Sequence, residues 1–248
     1  MRCRSSALKN ANLSQFRRYA AALCSAALLS ACGGGGGTTP ATSGNPVIEP
    51  PVVPPVTTDF PVASVMTAFV QSAHTYDLTG TLAGQLYTFT DAYIPQATTS
   101  TFEGKQASAA LQTTTIKRAG TVISVSKSNL FFTANPYVQL GSTDADSGAY
   151  TVITQTANLP TSAKIGQTGP IGTGIDYTNS TKTTVSDTAT ITWSLEADTG
   201  GNALLCIVNQ VPGSAPLTGY ECLRIDTAGK VLGRVIKVNS GGVTTIFN

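Results

Sequence analysis

Few residues in this chain have both the type and the spacing to do chemistry. Cys206 and Cys222 are two thiols 16 residues apart, in a spacing that suits a covalent cross-link. Asp144 and Asp146, in Asp-Ala-Asp-Ser-Gly148, place two carboxylates two residues apart. Oxygen ligands at that spacing are what a hard cation such as calcium takes, although a full loop needs more of them and a bidentate acid further on. The twelfth position, counted from Asp144, is Gln155, so a solvated turn is the alternative reading. His74 is the single histidine. Zinc sites need more nitrogen and sulfur ligands than remain here. A nucleophile–histidine pair would have to use His74, and no Gly-x-Ser-x-Gly is present. His74 also falls where a helix should end, a place where imidazoles commonly satisfy terminal carbonyls.

Asp198-Thr199-Gly200 matches the catalytic tripeptide of the aspartic proteases, in which two such carboxylates share a proton. Val231-Leu232-Gly233 is similar to the hydrophobic-hydrophobic-Gly strand of that family. Elsewhere the pattern departs. Glu196-Ala197 precede the aspartate, and no second Asp-Thr/Ser-Gly exists, so a dimer would be needed. The local reading is a hairpin turn, Asp-Thr-Gly-Gly. A hydrolase using Asp198 is the remote alternative, and no catalytic residue is assigned.

Tyr87, Phe89 and Tyr93 share one side of QLYTFTDAYIP, with Asp91 among them. Such an aromatic face lines a ligand groove or packs a core, where aromatics supply much of the apolar burial.

The elements that carry these residues begin at the N-terminus. Arg2, Arg4, Lys9, Arg17 and Arg18 precede the uncharged apolar run Tyr19–Ala31. This is the charged region and short hydrophobic region of a secretory leader, too short to span a bilayer. It ends in Leu29-Ser30-Ala31-Cys32, an aliphatic residue, two small residues and a cysteine. The stretch resembles the lipobox of bacterial lipoprotein precursors. That resemblance covers about the first 33 residues. It implies a diacylglycerol on the Cys32 thiol, cleavage before Cys32, and in many bacteria an N-acyl chain; no other cofactor is expected. Two or more chains anchor stably where one does not. In such lipoproteins an aspartate after the cysteine commonly retains the protein at the inner membrane. Gly33 stands there instead, so the resemblance implies the outer membrane of a Gram-negative bacterium, on the periplasmic side or the cell surface.

Removing residues 1–31 changes the charge balance. Of 15 basic and 13 acidic residues, five basic and no acidic ones lie in this leader. The mature part therefore carries 10 against 13, net −3, and offers no basic patch for nucleic acid. Cys3 and Cys24 leave with the leader and Cys32 takes lipid. Cys206 and Cys222 remain, an even pair in an oxidising compartment, and read as a disulfide.

Residues 32–58 form a tether: five glycines, then Pro40, Pro46, Pro50, Pro51, Pro54 and Pro55. A flexible coil passes into a stiffer polyproline-type spacer. Residues 59–248 are enough for one β-rich globular domain. In ATITWSLEA, Ile191, Trp193 and Leu195 alternate strictly with Thr190, Thr192, Ser194 and Glu196, as in an antiparallel strand with one covered face. Pro61–Ala73 alone has helical spacing, with Val62, Val65, Met66, Phe69 and Val70 on one side. Strands are expected near 75–82, 85–94, 107–118, 121–127, 129–134 and 148–155, then a C-terminal meander. The span 166–180, rich in Gly and Thr, reads as irregular. Residues 206 and 222 are symmetric about a Pro/Gly loop, so a regular hairpin would set the cysteines opposite one another. Cys222 shares its side with Arg224, whereas Leu223 and Ile225 take the other, so the disulfide lies on an outer face or a bulge intervenes.

The predicted fold is mainly β: an antiparallel curved sheet or partial barrel with one N-terminal helix, or alternatively a two-sheet sandwich. A helix followed by many antiparallel strands is similar to the half-barrel lipid and lipoprotein carriers of the envelope (LolA/LolB-like), a likeness of fold that carries no function. The expected function is a non-catalytic, membrane-anchored envelope scaffold or protein-binding domain. The alternative is a carrier of an apolar ligand.

Overall fold

The computed structural model describes residues 58–82, 84–212, 217–240 and 243–248. The leader, Cys32 and the tether before Thr58 lie outside the described residues. Among the described residues one α-helix, α1 (Val62–Val70), precedes thirteen strands: β1 (His74–Leu82), β2 (Gln85–Pro95), β3 (Ser100–Phe102), β4 (Lys105–Arg118), β5 (Thr121–Ala134), β6 (Tyr137–Asp144), β7 (Tyr150–Gln155), β8 (Thr168–Tyr177), β9 (Val185–Ala197), β10 (Ala203–Val211), β11 (Leu217–Ile225), β12 (Val231–Ser240) and β13 (Val243–Phe247). Twelve of them form a single antiparallel path in chain order, and β3 pairs β4 beside it. Apart from β2, which pairs β4, each strand on the path pairs with the next in the chain, a topology that is cheap in loop closure.

The path curls until its ends meet. Thr79 N–H donates to the Asn248 carbonyl at 3.0 Å, and Asn248 N–H donates back to the Thr79 carbonyl at 3.1 Å. The result is a nearly closed barrel, so the expected curved sheet with an N-terminal helix is observed and the two-sheet sandwich is not. Closure removes most of the exposed sheet edge. The seam is packed from within by Leu78, Tyr87, Phe89, Ile116, Ile236, Val238 and Phe247. Phe89 and Phe247 meet at 4.3 Å between ring centroids.

Helix α1 crosses one mouth of the barrel. At its start Pro61 and Val65 approach the turn at Gly229, where an added Cβ would lie 2.7 Å from Pro61 Cγ and φ is +82°. Only glycine meets both conditions. Further along, Thr67 Oγ1 donates to the Ala134 carbonyl at the end of β5. Val62, Val65 and Met66 pack into the main core with Phe60, Ile191, Trp193, Leu195, Leu205, Leu223 and Ile225. Val70 packs against Tyr93, Ala110 and Phe132 on the opposite wall. The helix is thus built into the barrel end rather than laid on an outer face.

Three strand expectations are corrected. The span 166–180 is not irregular: it contains β8. Its glycines mark close approaches; a Cβ at Gly169 would lie 2.7 Å from the Trp193 indole nitrogen, and one at Gly172 would lie 2.9 Å from Gln155 Cα. Residues 121–127 and 129–134 form one strand, because Ser128, polar enough to suggest a break, turns inward opposite Asp144. Strand β6 was not expected; a register shift at Phe131/Phe132 interrupts the alternation that would have revealed it.

Candidate functional site

Strands β2, β4, β11 and β12 bring a polar centre into the barrel between two apolar clusters. On β2, Tyr87, Phe89, Asp91 and Tyr93 alternate inward, and all four are buried. Asp91 is fully buried and collects its donors from the neighbouring strand: Gln112 Nε2 donates to both carboxylate oxygens, at 2.8 and 3.0 Å, and Thr114 Oγ1 donates at 2.9 Å. From across the seam the Arg234 guanidinium forms an ion pair with Asp91. Arg234 Nη2 also donates to Glu221 Oε2 at 2.6 Å. Burial of a charge is tolerated where it is paired and hydrogen-bonded, and Arg234 bridges two carboxylates.

A cavity of about 110 Å³ lies beside this centre under the C-terminal half of α1. Its walls include Phe69, His74, Tyr93, Phe132 and Tyr137 with Ile207, and its polar groups include Asn209, Glu221 and Arg234. The Glu221 side chain is 30% exposed and lines the cavity. Burial pushes the Glu221 carboxyl up to about 7, and its ion-pair partner Arg234 is shared with Asp91. Tyr137 and Tyr93 are also raised, in each case chiefly by burial. The Tyr93 hydroxyl donates to the Val70 carbonyl at 2.8 Å and so fastens the end of α1 to the wall.

His74 stacks on Tyr93, with centroids 4.7 Å apart and planes within 4°, and lies 4.0 Å from the Phe69 ring. Its Nδ1–H donates at 2.9 Å to the carbonyl of Ser72, two residues beyond the end of α1, and not to a carbonyl of the helix itself. Burial lowers its pKa to about 4, against the raising effect of that hydrogen bond. The imidazole is therefore neutral at physiological pH and brings no positive charge to the cavity.

The remaining sequence candidates lie apart from this centre. Cys206 and Cys222 are direct register partners on β10 and β11 and form a disulfide. The bond sits in a small cluster on the outer wall with Leu204, Val208 and Val235. The outer-face alternative therefore holds, and a bulge also occurs, beyond it at Arg224/Ile225. Asp198 opens a 3-10 turn, Thr199–Gly201, between β9 and β10, and accepts a hydrogen bond from Arg224 Nε at 2.5 Å. Its carboxylate holds a hairpin corner. Asp144 Oδ1 accepts from Asp146 N–H, Ser147 N–H and the Ser147 hydroxyl, whereas Asp146 Oδ2 accepts from Lys127 N–H. The two carboxylates thus serve different backbone donors. Among the described residues no group of three or more metal-ligating side chains is assembled.

A second hollow, of about 320 Å³, lies outside the barrel where the β3–β4 hairpin folds over β6 and β7, against Phe102, Val138, Leu140 and Val152. There the Gln155 side chain accepts from Gln139 N–H at 3.0 Å and fills in for strand pairing that β6 and β7 lack.

Comparison of the chain with known protein families, curated proteins and solved structures gives no match.

Proposed function

We propose that this chain is an outer-membrane lipoprotein, anchored through diacylglycerol on Cys32, whose β barrel serves as a non-catalytic scaffold or protein-binding module of the envelope. The observation that carries the second half of this reading is how the barrel is filled. Among the described residues, helix α1 and two apolar clusters pack much of the interior, beside a cavity of about 110 Å³. Ordinary small-molecule pockets start near 300 Å³. A cavity of that size is too small for a lipid chain, which supports recognition of a large partner by the outer wall and loops. The Asp198 carboxylate is held by Arg224 in a structural contact, which weighs against a hydrolytic role. The lipobox Leu29-Ser30-Ala31-Cys32 carries the anchoring half.

Two measurements test it. Cys32→Ser should abolish labelling by radioactive palmitate and release the protein from membrane fractions; retention of both would overturn the anchor. Native mass spectrometry of the full chain released from detergent should give the mass of the acylated protein alone. A co-purifying lipid in stoichiometric amount would instead favour the apolar-ligand carrier.

A further inference from the structure

We propose that the cavity under α1 is a binding site for a small organic ammonium ion, with Glu221 as its counter-charge and the surrounding aromatic rings as its walls.

The electrostatic imbalance is local. Arg234 is the one cation among the polar groups of the centre, and it already faces two carboxylates, Asp91 and Glu221. Asp91 has its donors in Gln112, Thr114 and Arg234. Glu221 does not: Oε2 takes Arg234, whereas Oε1 accepts no hydrogen bond from the described residues, on a partly exposed side chain that lines the cavity. A carboxylate oxygen in a largely apolar pocket is costly unless a donor or a cation meets it.

The walls select the kind of cation. Phe69, Tyr93, Phe132 and Tyr137 present aromatic surface, which attracts ammonium groups through the ring quadrupole. A calcium or magnesium ion would need six or so oxygen ligands and finds one free carboxylate oxygen. An anion would meet Glu221 and no spare positive charge. The volume of about 110 Å³ excludes long chains and suits an ion of a few heavy atoms; a cavity of roughly 150 Å³ accepts benzene. An alkylammonium pairs its N–H donors with Glu221 and its carbon atoms with the apolar wall. This inference rests on the interior of the barrel and is independent of the membrane anchor.

The test is titration of the full chain, in detergent at about pH 8 so that Glu221 is ionised, with methylammonium, ethylammonium and trimethylammonium chlorides. Sodium chloride at equal ionic strength and ethanol serve as controls, and binding is read by calorimetry and by NMR shifts of residues lining the cavity. At least one ammonium ion should bind saturably with Kd below about 10 mM, and the controls should not. Glu221→Gln should weaken that binding at least about tenfold, the loss expected for a desolvated charge pair. Phe69→Leu should weaken it by about 2-fold to 30-fold, the range for one cation–π contact, and supplies the answer if Glu221→Gln does not fold. Absence of saturable binding by all three ions, equal binding of ethanol, or unchanged affinity in the folded variants would each overturn the proposal.

Discussion

Arg234 and Asp91 form an ion pair inside the barrel, with side chains 4% and 0% exposed, and the pair ties β12 to β2 across the seam. Strands next to each other in sequence are joined by backbone ladders, but these two are separated by β1 and β13. The pair therefore reports on closure as well as on local charge. Removing one partner of a buried pair leaves the other uncompensated, which costs about 3–5 kcal/mol. Arg234→Met should lower stability by that amount in urea unfolding. Adding Asp91→Asn and Glu221→Gln to it should recover most of the loss, because the orphaned charges go with the guanidinium. A single variant as stable as the parent would show that the pair is not needed.

The pH dependence of stability follows from two groups that pull in opposite directions. Glu221 is raised from its ordinary value of 4.5 to about 7, first by burial. The folded state then binds more protons than the unfolded chain between those values, so the Glu221 contribution is fully present below 4.5 and is lost as pH rises through 7. His74 is lowered from 6.5 to about 4, again first by burial. Its contribution is present above 6.5 and is lost as pH falls toward 4. Across the overlap the slopes partly cancel. Relative to the parent, Glu221→Gln should make stability rise more steeply with pH between about 4.5 and 6.5, and His74→Gln should make it fall. Urea midpoints at fixed pH values across that window read both slopes. Identical pH profiles for parent and variants would refute the assignment.

The disulfide joins residues that are already opposed by the register of β10 and β11. Its stabilisation is therefore chiefly a restriction of the unfolded chain. For a loop of this size that amounts to about 3 kcal/mol. A Cys206→Ala, Cys222→Ala variant should retain the β signature in circular dichroism and lose roughly that much stability in urea. Loss of the folded spectrum altogether would mean that the cross-link directs folding.

Much of this centre can be seen in the sequence once strand phase is read for charged residues as well as apolar ones. Asp91 is in phase with Tyr87, Phe89 and Tyr93, Glu221 with Leu223 and Ile225, and Arg234 with Ile236 and Val238. Each charge therefore stands on a core face, the strongest local sign of a buried pair. What a local pattern cannot supply is the partner. Glu221 and Arg234 lie on the paired neighbours β11 and β12, but Asp91 lies on β2, far away in the chain, and the meeting of Thr79 with Asn248 brings it to them. The same non-local closure explains why α1 is legible from its helical spacing while its place across a barrel mouth is not. In β8 the glycines hide a strand because their purpose is set by Trp193 and Gln155, which belong to other strands.

The seam itself depends on a missing side chain. Gly80 on β1 lies against β13, where an added Cβ would sit 2.5 Å from the Ile246 carbonyl oxygen and 2.8 Å from Phe247 Cε1. The ring could turn away, but the carbonyl is backbone and belongs to the strand that closes the barrel. Gly80→Ala must therefore push β13 outward, lengthen the two hydrogen bonds between Thr79 and Asn248, and loosen the Phe89–Phe247 contact. Overpacking of this kind costs about 1–3 kcal/mol. Hydrogen exchange should localise the effect: the Thr79 and Asn248 amides should exchange faster, while those in β7 and β8, at the middle of the sheet, keep their protection. Uniform loss of protection would mean that the seam is as cooperative as the centre, and unchanged exchange at Thr79 and Asn248 would show that β1 and β13 do not close the barrel.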